Sequence, residues 1–204
     1  MDKFITRNIK PRKNYFSKYC DNNTIEYEPK SFYAYTDGST FNNHLKEEKR
    51  FGGVGVYFPD EKLNNISLML KNCKISNNVA ELTAIKLAIE TIINSDFVFN
   101  DNIYIYTDSK YSIDCFEKYC KIWQKNNWTK GKSNGQIKNL DLIKNIWNYC
   151  NKYKIVFNHV NSHQAEPKDK GTKDYQIWFG NFMADKLAVN ASKQSLIESK
   201  NETN

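Results

Sequence analysis

The chain has 204 residues, a formal net charge of +7 and an aromatic content of 14%. This length suits one domain with a full hydrophobic core, and the positive charge favours a polyanionic partner over an acidic protein target. No apolar run approaches the roughly 20 residues that cross a bilayer, and no charged-then-apolar leader opens the chain. We therefore expect no membrane partner and a soluble, intracellular protein of the cytoplasm or nucleus.

The cysteines argue against a disulfide framework. Their number is odd, and no pair shows a C-x-x-C or other metal-ligand spacing. We predict reduced thiols, as in intracellular proteins. The five residues are Cys20, Cys73, Cys115, Cys120 and Cys150.

Residues 1–30 form a polar, basic extension without a sustained hydrophobic period. Such composition predicts a flexible or loosely packed segment. The cluster Lys10-Pro-Arg-Lys13 leaves two interpretations open, a contribution to nucleic-acid affinity or no identifiable role.

Two segments predict strands that end at an aspartate. Phe32–Asp37 alternates in the period-2 pattern of a strand and is followed by turn residues. Ile103–Thr107 repeats the arrangement and is followed by Asp108. Either aspartate can be explained by turn or helix-cap chemistry, and either can belong to a functional site.

The residues between these segments predict two further strands, Gly52–Phe58 and Ile66–Leu70. Short polar links join them to the first strand, which predicts an antiparallel meander. The glycine-rich stretch is not a phosphate-binding loop, because no Gly-Lys-Ser or Gly-Lys-Thr follows it.

The strongest helical pattern covers Asn77–Ile93. Asn78 is the predicted N-cap, which puts Glu81 at the third helical position, where capping and chemistry are alternatives. The helix lies between the two strands that end in aspartate, so it can be a right-handed crossover between parallel neighbours. Asp37 and Asp108 would then lie about 5 Å apart, one strand spacing, with Glu81 close to both.

Three converging carboxylates repel one another unless a cation is present. A divalent metal ion removes this conflict, and ligands that are all oxygen favour Mg²⁺ or Mn²⁺. The pattern therefore indicates a metal site at Asp37, Glu81 and Asp108.

From Lys110 onward the chain is helical and basic, with Tyr119, Trp123 and Trp128 between the lysines. The aromatic side chains can stack on sugars or bases while the lysines hold phosphates. Equally, the tryptophans can be helix core and the lysines a solvated face. The lysines are Lys118, Lys121, Lys125, Lys130, Lys132 and Lys138.

The rest of the chain predicts a helix over Ile137–Cys150, a final strand over Lys154–Val160 and a helical segment over Asp174–Ser192. His159 and His163 are four residues apart, but no third ligand accompanies them, so we predict no zinc site.

Five motifs occur in order between residues 31 and 192. They are Tyr-Thr-Asp37-Gly-Ser, Asn77-Asn-Val-Ala-Glu81-Leu, Tyr-Thr-Asp108-Ser, His159-Val-Asn-Ser-His163 and Gly180-Asn-x-x-Ala-Asp185-x-Leu-Ala. Each is weak alone, but together and in this order the chain resembles a type 1 ribonuclease H. The lysine- and tryptophan-bearing segment resembles the basic protrusion of the cellular enzymes.

The fold class we predict is α/β, with the ribonuclease H-like arrangement of a five-stranded mixed sheet and helices on both faces. The first three strands are expected to be antiparallel. Residues 1–30 would be an extension, 31–192 the catalytic domain and 193–204 a polar tail.

The resemblance implies an endoribonuclease that hydrolyses the RNA strand of RNA/DNA hybrids and leaves 3′-hydroxyl and 5′-phosphate ends. It implies two Mg²⁺ ions, replaceable by Mn²⁺, held by Asp37, Glu81, Asp108 and Asp185. His163 would assist proton transfer or product release. The enzyme would act as a monomer without an obligate protein partner.

The resemblance also implies three groups of substrate contacts. The first group faces RNA 2′-hydroxyls, the second binds a DNA-strand phosphate, and the third lies along the rest of the hybrid. They are Asn43, Asn77 and Asn78; Lys74, Ser76 and Asn139; and Tyr119, Trp123, Trp128 and Asn181. The main departure from the family is an insertion over Gln164–Gly180, where relatives have a short loop.

Two rival functions are distinguishable on sequence. The first is a nuclease or strand-transfer enzyme of the same fold, against which the Asn77-Asn78 pair and the basic segment argue. The second is a noncatalytic hybrid-binding module, which would gain nothing from four clustered carboxylates facing a polyanion.

Overall fold

The computed structural model describes residues 31–46, 50–61, 63–71, 73–96, 102–131, 135–162 and 164–202. The predicted extension over residues 1–30, Lys132 and His163 lie outside the described residues.

A five-stranded mixed sheet is the centre of the fold, and it confirms the predicted fold class. Its strands follow the order β3-β2-β1-β4-β5; β1 to β3 are antiparallel, whereas β4 runs parallel to both β1 and β5. The strands are β1 (Phe32–Phe41), β2 (Phe51–Tyr57), β3 (Ile66–Leu70), β4 (Ile103–Thr107) and β5 (Ile155–His159).

The central strand β1 is longer than the sequence pattern predicts. The expectation that it ends at Asp37 is wrong, because residues 37–41 continue the antiparallel ladder, with Asp37 opposite Gly55 and Phe41 opposite Phe51. Pairing of β1 with β4 stops at Thr36 and Thr107. Asp37 therefore lies where β1 loses its parallel neighbour but keeps its antiparallel one.

Helices cover both faces of the sheet. They are α1 (Asn77–Ile93), α2 (Lys110–Asp114), α3 (Cys120–Lys125), α4 (Leu140–Cys150) and α5 (Lys173–Glu202), with a π-helical turn over Cys115–Tyr119 between α2 and α3. α1 and α4 contribute Leu82, Ile89 and Ile146 to a core that also contains Phe32 and Phe58 of the sheet region. On the opposite face, α5 packs against a cluster of tyrosines from β1, β2 and β4. No helix in the described part of the chain is both long and apolar enough to cross a membrane.

Helix α1 covers the predicted range Asn77–Ile93, but its N-cap is not the predicted one. Ser76, rather than Asn78, is the N-cap: its backbone is extended, with φ −156° and ψ 161°, and its hydroxyl accepts a hydrogen bond from the Val79 amide at 3.3 Å. Asn77 and Asn78 are helical. Glu81 is consequently the fifth helical residue, two positions past the one that closes a capping box, so the capping alternative for Glu81 is wrong.

Helix α5 is longer than the predicted segment 174–192. The Thr172 hydroxyl accepts a hydrogen bond from the Tyr175 amide at 3.2 Å, as an N-cap does. Beyond residue 192 the helix continues to Glu202, where a polar tail was expected, and Glu198 pairs with Lys71 beside β3 at 2.5 Å. Ser195 is buried, so this last part of α5 packs against the domain.

The described cysteines are free thiols, as predicted. Burial raises the pKa of Cys115 to about 11 and the pKa of Cys120 and Cys150 to about 12, so these thiols stay protonated at neutral pH. Cys73 is exposed.

Glycine at β2 lets α5 approach the sheet at backbone distance. A Cβ atom on Gly55 would lie 2.0 Å from the Ala184 carbonyl oxygen and 2.6 Å from the Ala188 amide nitrogen. A side chain at this position would push away the helix that carries Asp185.

We predict that Gly55→Ala lowers the free energy of unfolding by about 2 kcal/mol or more, because the new methyl group meets backbone that cannot move aside. Gly52→Ala is the matched control on the same strand, where the nearest atoms belong to the Leu70 and Ile75 side chains at 2.9 and 3.0 Å. Urea denaturation measures both variants. Equal losses of stability would contradict the helix-approach explanation.

Candidate active site

Three carboxylates converge at the point where β1 and β4 part. Asp37 belongs to β1, and Asp108 follows the last residue of β4, whose Thr107 lies opposite Thr36. Glu81 comes from the first turns of α1. One oxygen from each carboxylate lies within 4.8 Å of the other two.

Gly38 explains how α1 comes so close to β1. A Cβ atom at this position would lie 2.4 Å from the Glu81 amide nitrogen and 2.5 Å from the Ala80 carbonyl carbon. Because Gly38 has no side chain, the backbone of α1 packs directly against β1 at this point. This close packing brings Glu81 beside Asp37. The Thr40 hydroxyl also hydrogen-bonds to Asn77 Oδ1, tying the end of β1 to the start of α1.

A fourth carboxylate, Asp185, reaches the same place from α5. All four line one cavity of about 560 Å³. The other lining residues are Gly38, Ser39, Thr40, Asn77, Asn161, Ser162, Gln164, Trp178, Asn181 and Phe182. The cavity is thus enclosed by β1, α1, α5 and the segment that follows β5.

Burial and mutual repulsion make these carboxylates hard to ionise. Asp37 is 8% exposed, and burial, followed by the charges of Asp108 and Asp185, raises its pKa to about 7. Burial raises the pKa of Glu81 well above its usual value, and the charges of Asp37 and Asp108 add to this effect. A positive charge in the cavity would reverse both shifts.

The donor set fits a divalent metal ion. Asp37, Glu81 and Asp108 offer only carboxylate oxygens, which are the ligands of hard cations. Glu81 Oε2 is buried and has no hydrogen-bond partner among the described residues, although a buried carboxylate oxygen ordinarily needs one. A metal ion would satisfy this oxygen and remove the repulsion.

The structure brings two of the ten predicted substrate residues into the cavity, Asn77 and Asn181. Asn43 lies in the exposed turn after β1, and Asn78 is exposed on α1. Asn139 precedes α4 with φ +58°, and its side chain hydrogen-bonds to Tyr111. The remaining members lie outside the cavity lining: Lys74, Ser76, Tyr119, Trp123 and Trp128.

The sequence left two interpretations open for the aromatic residues of the basic segment, helix core or contact with nucleic acid. The tryptophans and Tyr119 differ in this respect. Trp123 and Trp128 pack partly buried against the core, and Lys144 Nζ lies 5.1 Å from the Trp128 ring centroid. Tyr119 stacks on Trp123 at 5.4 Å between centroids and remains 44% exposed. The tryptophans are therefore partly core, whereas Tyr119 presents an aromatic ring to solvent.

Several cavity residues escaped the sequence reasoning. Thr40 is an ordinary strand residue in sequence, and Asn161, Ser162 and Gln164 lie in a segment without a regular period. Trp178 and Phe182 were detectable, because they lie seven and three residues before Asp185 and share its helix face.

Comparison with known proteins points to one family. The family model described as RNase H matches residues 29–193. The chain is 30% identical over 149 residues to a probable ribonuclease H of Acanthamoeba polyphaga mimivirus, covering 73% of this chain and 62% of the relative. It is 31% identical over 155 residues to a ribonuclease H of Schizosaccharomyces pombe, covering 76% of this chain and 50% of that protein. The chain thus spans less than two thirds of these two relatives.

The fold is also similar to that of solved structures. The crystal structure of LC9-RNase H1, a type 1 RNase H with the type 2 active-site motif, matches with a TM-score of 0.60 at 21% identity. The match covers 84% of this chain and 76% of that one. At this identity the likeness concerns the fold alone.

We predict that metal-free protein loses stability as the pH rises from about 4 to about 7. The folded state keeps the Asp37 proton up to a pKa of about 7, whereas the unfolded state releases it near 3.8. In this pH window the folded state binds more protons than the unfolded state. The free energy of unfolding therefore falls as the pH rises through the window. Asp37→Asn should therefore exceed wild type in stability at pH 7 by on the order of 1 kcal/mol or more.

Urea denaturation in EDTA at several pH values measures this difference. Asp141→Asn, at an exposed aspartate in the first turn of α4, is the matched control. A stability gain of Asp37→Asn that does not change with pH would contradict the prediction.

Proposed function

This chain belongs to the ribonuclease H family, and we propose that it hydrolyses the RNA strand of RNA/DNA hybrids. The observation that carries the proposal is the convergence of Asp37, Glu81 and Asp108 within 4.8 Å, in a cavity that Asp185 completes. The products would be a 3′-hydroxyl and a 5′-phosphate, because the oxygen of water attacks phosphorus and the ribose 3′-oxygen leaves with a proton.

Asp37, Glu81, Asp108 and Asp185 would hold two divalent ions, Mg²⁺ or, as a substitute, Mn²⁺. When bound, such ions lower the pKa of a coordinated water and stabilise the charge on the leaving oxygen. All four carboxylates come from one chain, which supports action as a monomer.

The protein's own contribution is to hold its charged groups in place before the substrate arrives. Asp37 is fixed in the sheet by pairing with Gly55, and Glu81 is fixed by the contact of α1 with Gly38. Such preorganisation avoids the cost of reorienting charges during phosphoryl transfer.

We propose that His163, which directly precedes the insertion, assists proton transfer or product release.

We assign Asn77 to contact with a ribose 2′-hydroxyl in the cavity. Asn43 and Asn78 would contact 2′-hydroxyls outside the cavity. The Thr40 hydroxyl donates to Asn77 Oδ1, which orients the Asn77 amide nitrogen as a donor. A 2′-hydroxyl is the group that separates RNA from DNA. Asn181 lines the same cavity from α5 and would contact the RNA strand there.

The basic segment would bind the DNA strand outside the cavity. Tyr119 presents an exposed ring for stacking on a sugar, and Trp123 supports it from the core side, whereas Trp128 packs against the core. Lys121 and Lys125 are exposed on α3. Lys74, Ser76 and Asn139 would hold one phosphate of that strand.

The test is cleavage of a labelled RNA/DNA hybrid in Mg²⁺ and in EDTA, with duplex DNA, duplex RNA and single-stranded RNA as controls. We expect cleavage of the RNA strand of the hybrid alone, and only with metal. Asp108→Asn should lower kcat by at least about a hundredfold, with folding preserved. Asp141→Asn is the matched control and should remain active.

Cleavage of duplex DNA instead would favour a different nuclease of this fold. Tight hybrid binding without any cleavage would favour a binding module. Near wild-type activity of Asp108→Asn would refute the carboxylate assignment while leaving the reaction itself untouched.

Neutralising Lys121 and Lys125 tests the assignment of the basic segment. Lys121→Gln and Lys125→Gln should each weaken hybrid binding and reduce the slope of log K against log salt by about 0.7 to 0.9, because each lysine releases one counterion on binding a phosphate. Fluorescence anisotropy in EDTA at several salt concentrations gives the slopes. Lys193→Gln, at an exposed lysine of α5, is the control. An unchanged salt slope in Lys121→Gln and Lys125→Gln would show that the basic segment does not contact the hybrid.

A further inference from the structure

Two aromatic side chains of α5, Trp178 and Phe182, line the carboxylate cavity. They are one helical turn apart, and their rings stack with 5.3 Å between centroids and 11° between planes. Asn181 and Asp185 lie on the same helix face, three and seven residues after Trp178. We call Trp178 and Phe182 the aromatic wall.

The Phe182 ring is not part of the hydrophobic core. It is 42% exposed, whereas Ala184, Leu187 and Ala188 of the same helix are buried against the sheet. A phenylalanine at the rim of a polar cavity gains the free energy of apolar burial only when something covers it. Phe182 lines the same cavity as the four carboxylates, so a molecule bound to them would cover the ring.

Trp178 holds the Phe182 ring in place. Its indole N–H donates a hydrogen bond to the Gln164 carbonyl oxygen at 3.0 Å, which ties α5 to the inserted loop. Tyr175 packs against Trp178 from the preceding turn, with ring centroids 5.6 Å apart. The ring of Phe182 is therefore supported before any ligand binds, which lowers the entropic cost of binding.

A lysine side chain, Lys186, lies one helical turn beyond the aromatic wall. Lys186 is exposed, and its Nζ lies 6.0 Å from the Phe182 ring centroid. A ring beside an ammonium group matches the chemistry of a nucleotide, because the ring packs on the sugar and the ammonium pairs with a phosphate. In an RNA/DNA duplex the bases are paired, so the ribose-phosphate backbone is the part within reach.

On the basis of the proposed function, we propose that the aromatic wall packs against a ribose of the RNA strand next to the bond that is cut. Lys186 pairs with a phosphate beside that ribose. The substrate is thereby positioned from α5, whereas Thr40 and Asn77 line the cavity from β1 and α1. Phe182 is a positioning residue in this scheme, since it acts on the substrate rather than on the reacting atoms.

The test compares Phe182→Ala with wild type. We expect Kd for a labelled RNA/DNA hybrid in EDTA, and KM in Mg²⁺, to rise about fivefold or more, which is the low end for loss of an aromatic contact to a nucleotide. The value of kcat should stay within about twofold, because the carboxylates are unchanged. Phe182→Tyr keeps the ring and should restore wild-type Kd and KM.

Ile197→Ala is the matched control. Ile197 is a 57% exposed apolar residue of the same helix that does not line the cavity, so its loss should change neither Kd nor KM. Lys186→Gln should weaken binding and reduce the salt slope by about one. Circular dichroism shows whether each variant is folded, and the rescue by Phe182→Tyr keeps the test decisive if Phe182→Ala is destabilised.

Four outcomes would overturn the inference. If wild type cuts the hybrid and Phe182→Ala keeps wild-type Kd and KM, only the inference fails. If Phe182→Ala lowers kcat alone, or if Phe182→Tyr fails to rescue binding, the wall supports the loop and does not contact substrate. If wild type neither binds nor cuts the hybrid, the proposed function fails and the inference with it.

Discussion

The parallel pairing of β1 with β4 is the constraint on which the site depends. Register puts Thr36 beside Thr107, so the next residue of each chain segment is an aspartate at the same edge of the ladder. Strand spacing, about 4.8 Å, then sets the separation of the two carboxylates without any help from loops. The two helices that carry the other carboxylates approach this fixed pair closely: α1 because Gly38 has no side chain, and α5 because Gly55 has none.

The fold pays an electrostatic cost for this arrangement. Two ionised carboxylates about 5 Å apart repel by about 3 kcal/mol at an effective dielectric constant of 20. Burial first, and this repulsion second, raise the pKa of Asp37 and of Glu81. The rest of the domain must supply enough stability to hold this cluster together.

The sequence was sufficient for the fold class, the antiparallel pairing of the first three strands and the proximity of Asp37, Glu81 and Asp108, because the periodic strands and the crossover helix are local signals. Prediction from the sequence was wrong where contacts between distant segments determine where an element begins or ends. The turn-like residues after Asp37 continue as strand because the glycines of β2 pair with them, and Ser76 outcompetes Asn78 as the cap because the chain is already helical at Asn77. Trp178 and Phe182 were overlooked for a different reason: their spacing places them on the helix face of Asp185, but an aromatic pair on a helix is ordinarily core.

Helix α5 joins the carboxylate cavity to the stability of the whole domain. Its 30 residues make a rod of about 45 Å that carries Asp185 near its middle and packs along β1, β2 and β3. Since Ser67 of β3 donates to the Leu187 carbonyl at 2.8 Å and Glu198 pairs with Lys71, the helix cannot detach in parts without exposing the tyrosine face of the sheet. Amide hydrogens far along this helix would then exchange with solvent at the rate of global opening, and an ion or substrate at the cavity would slow their exchange as well as that of its own ligands.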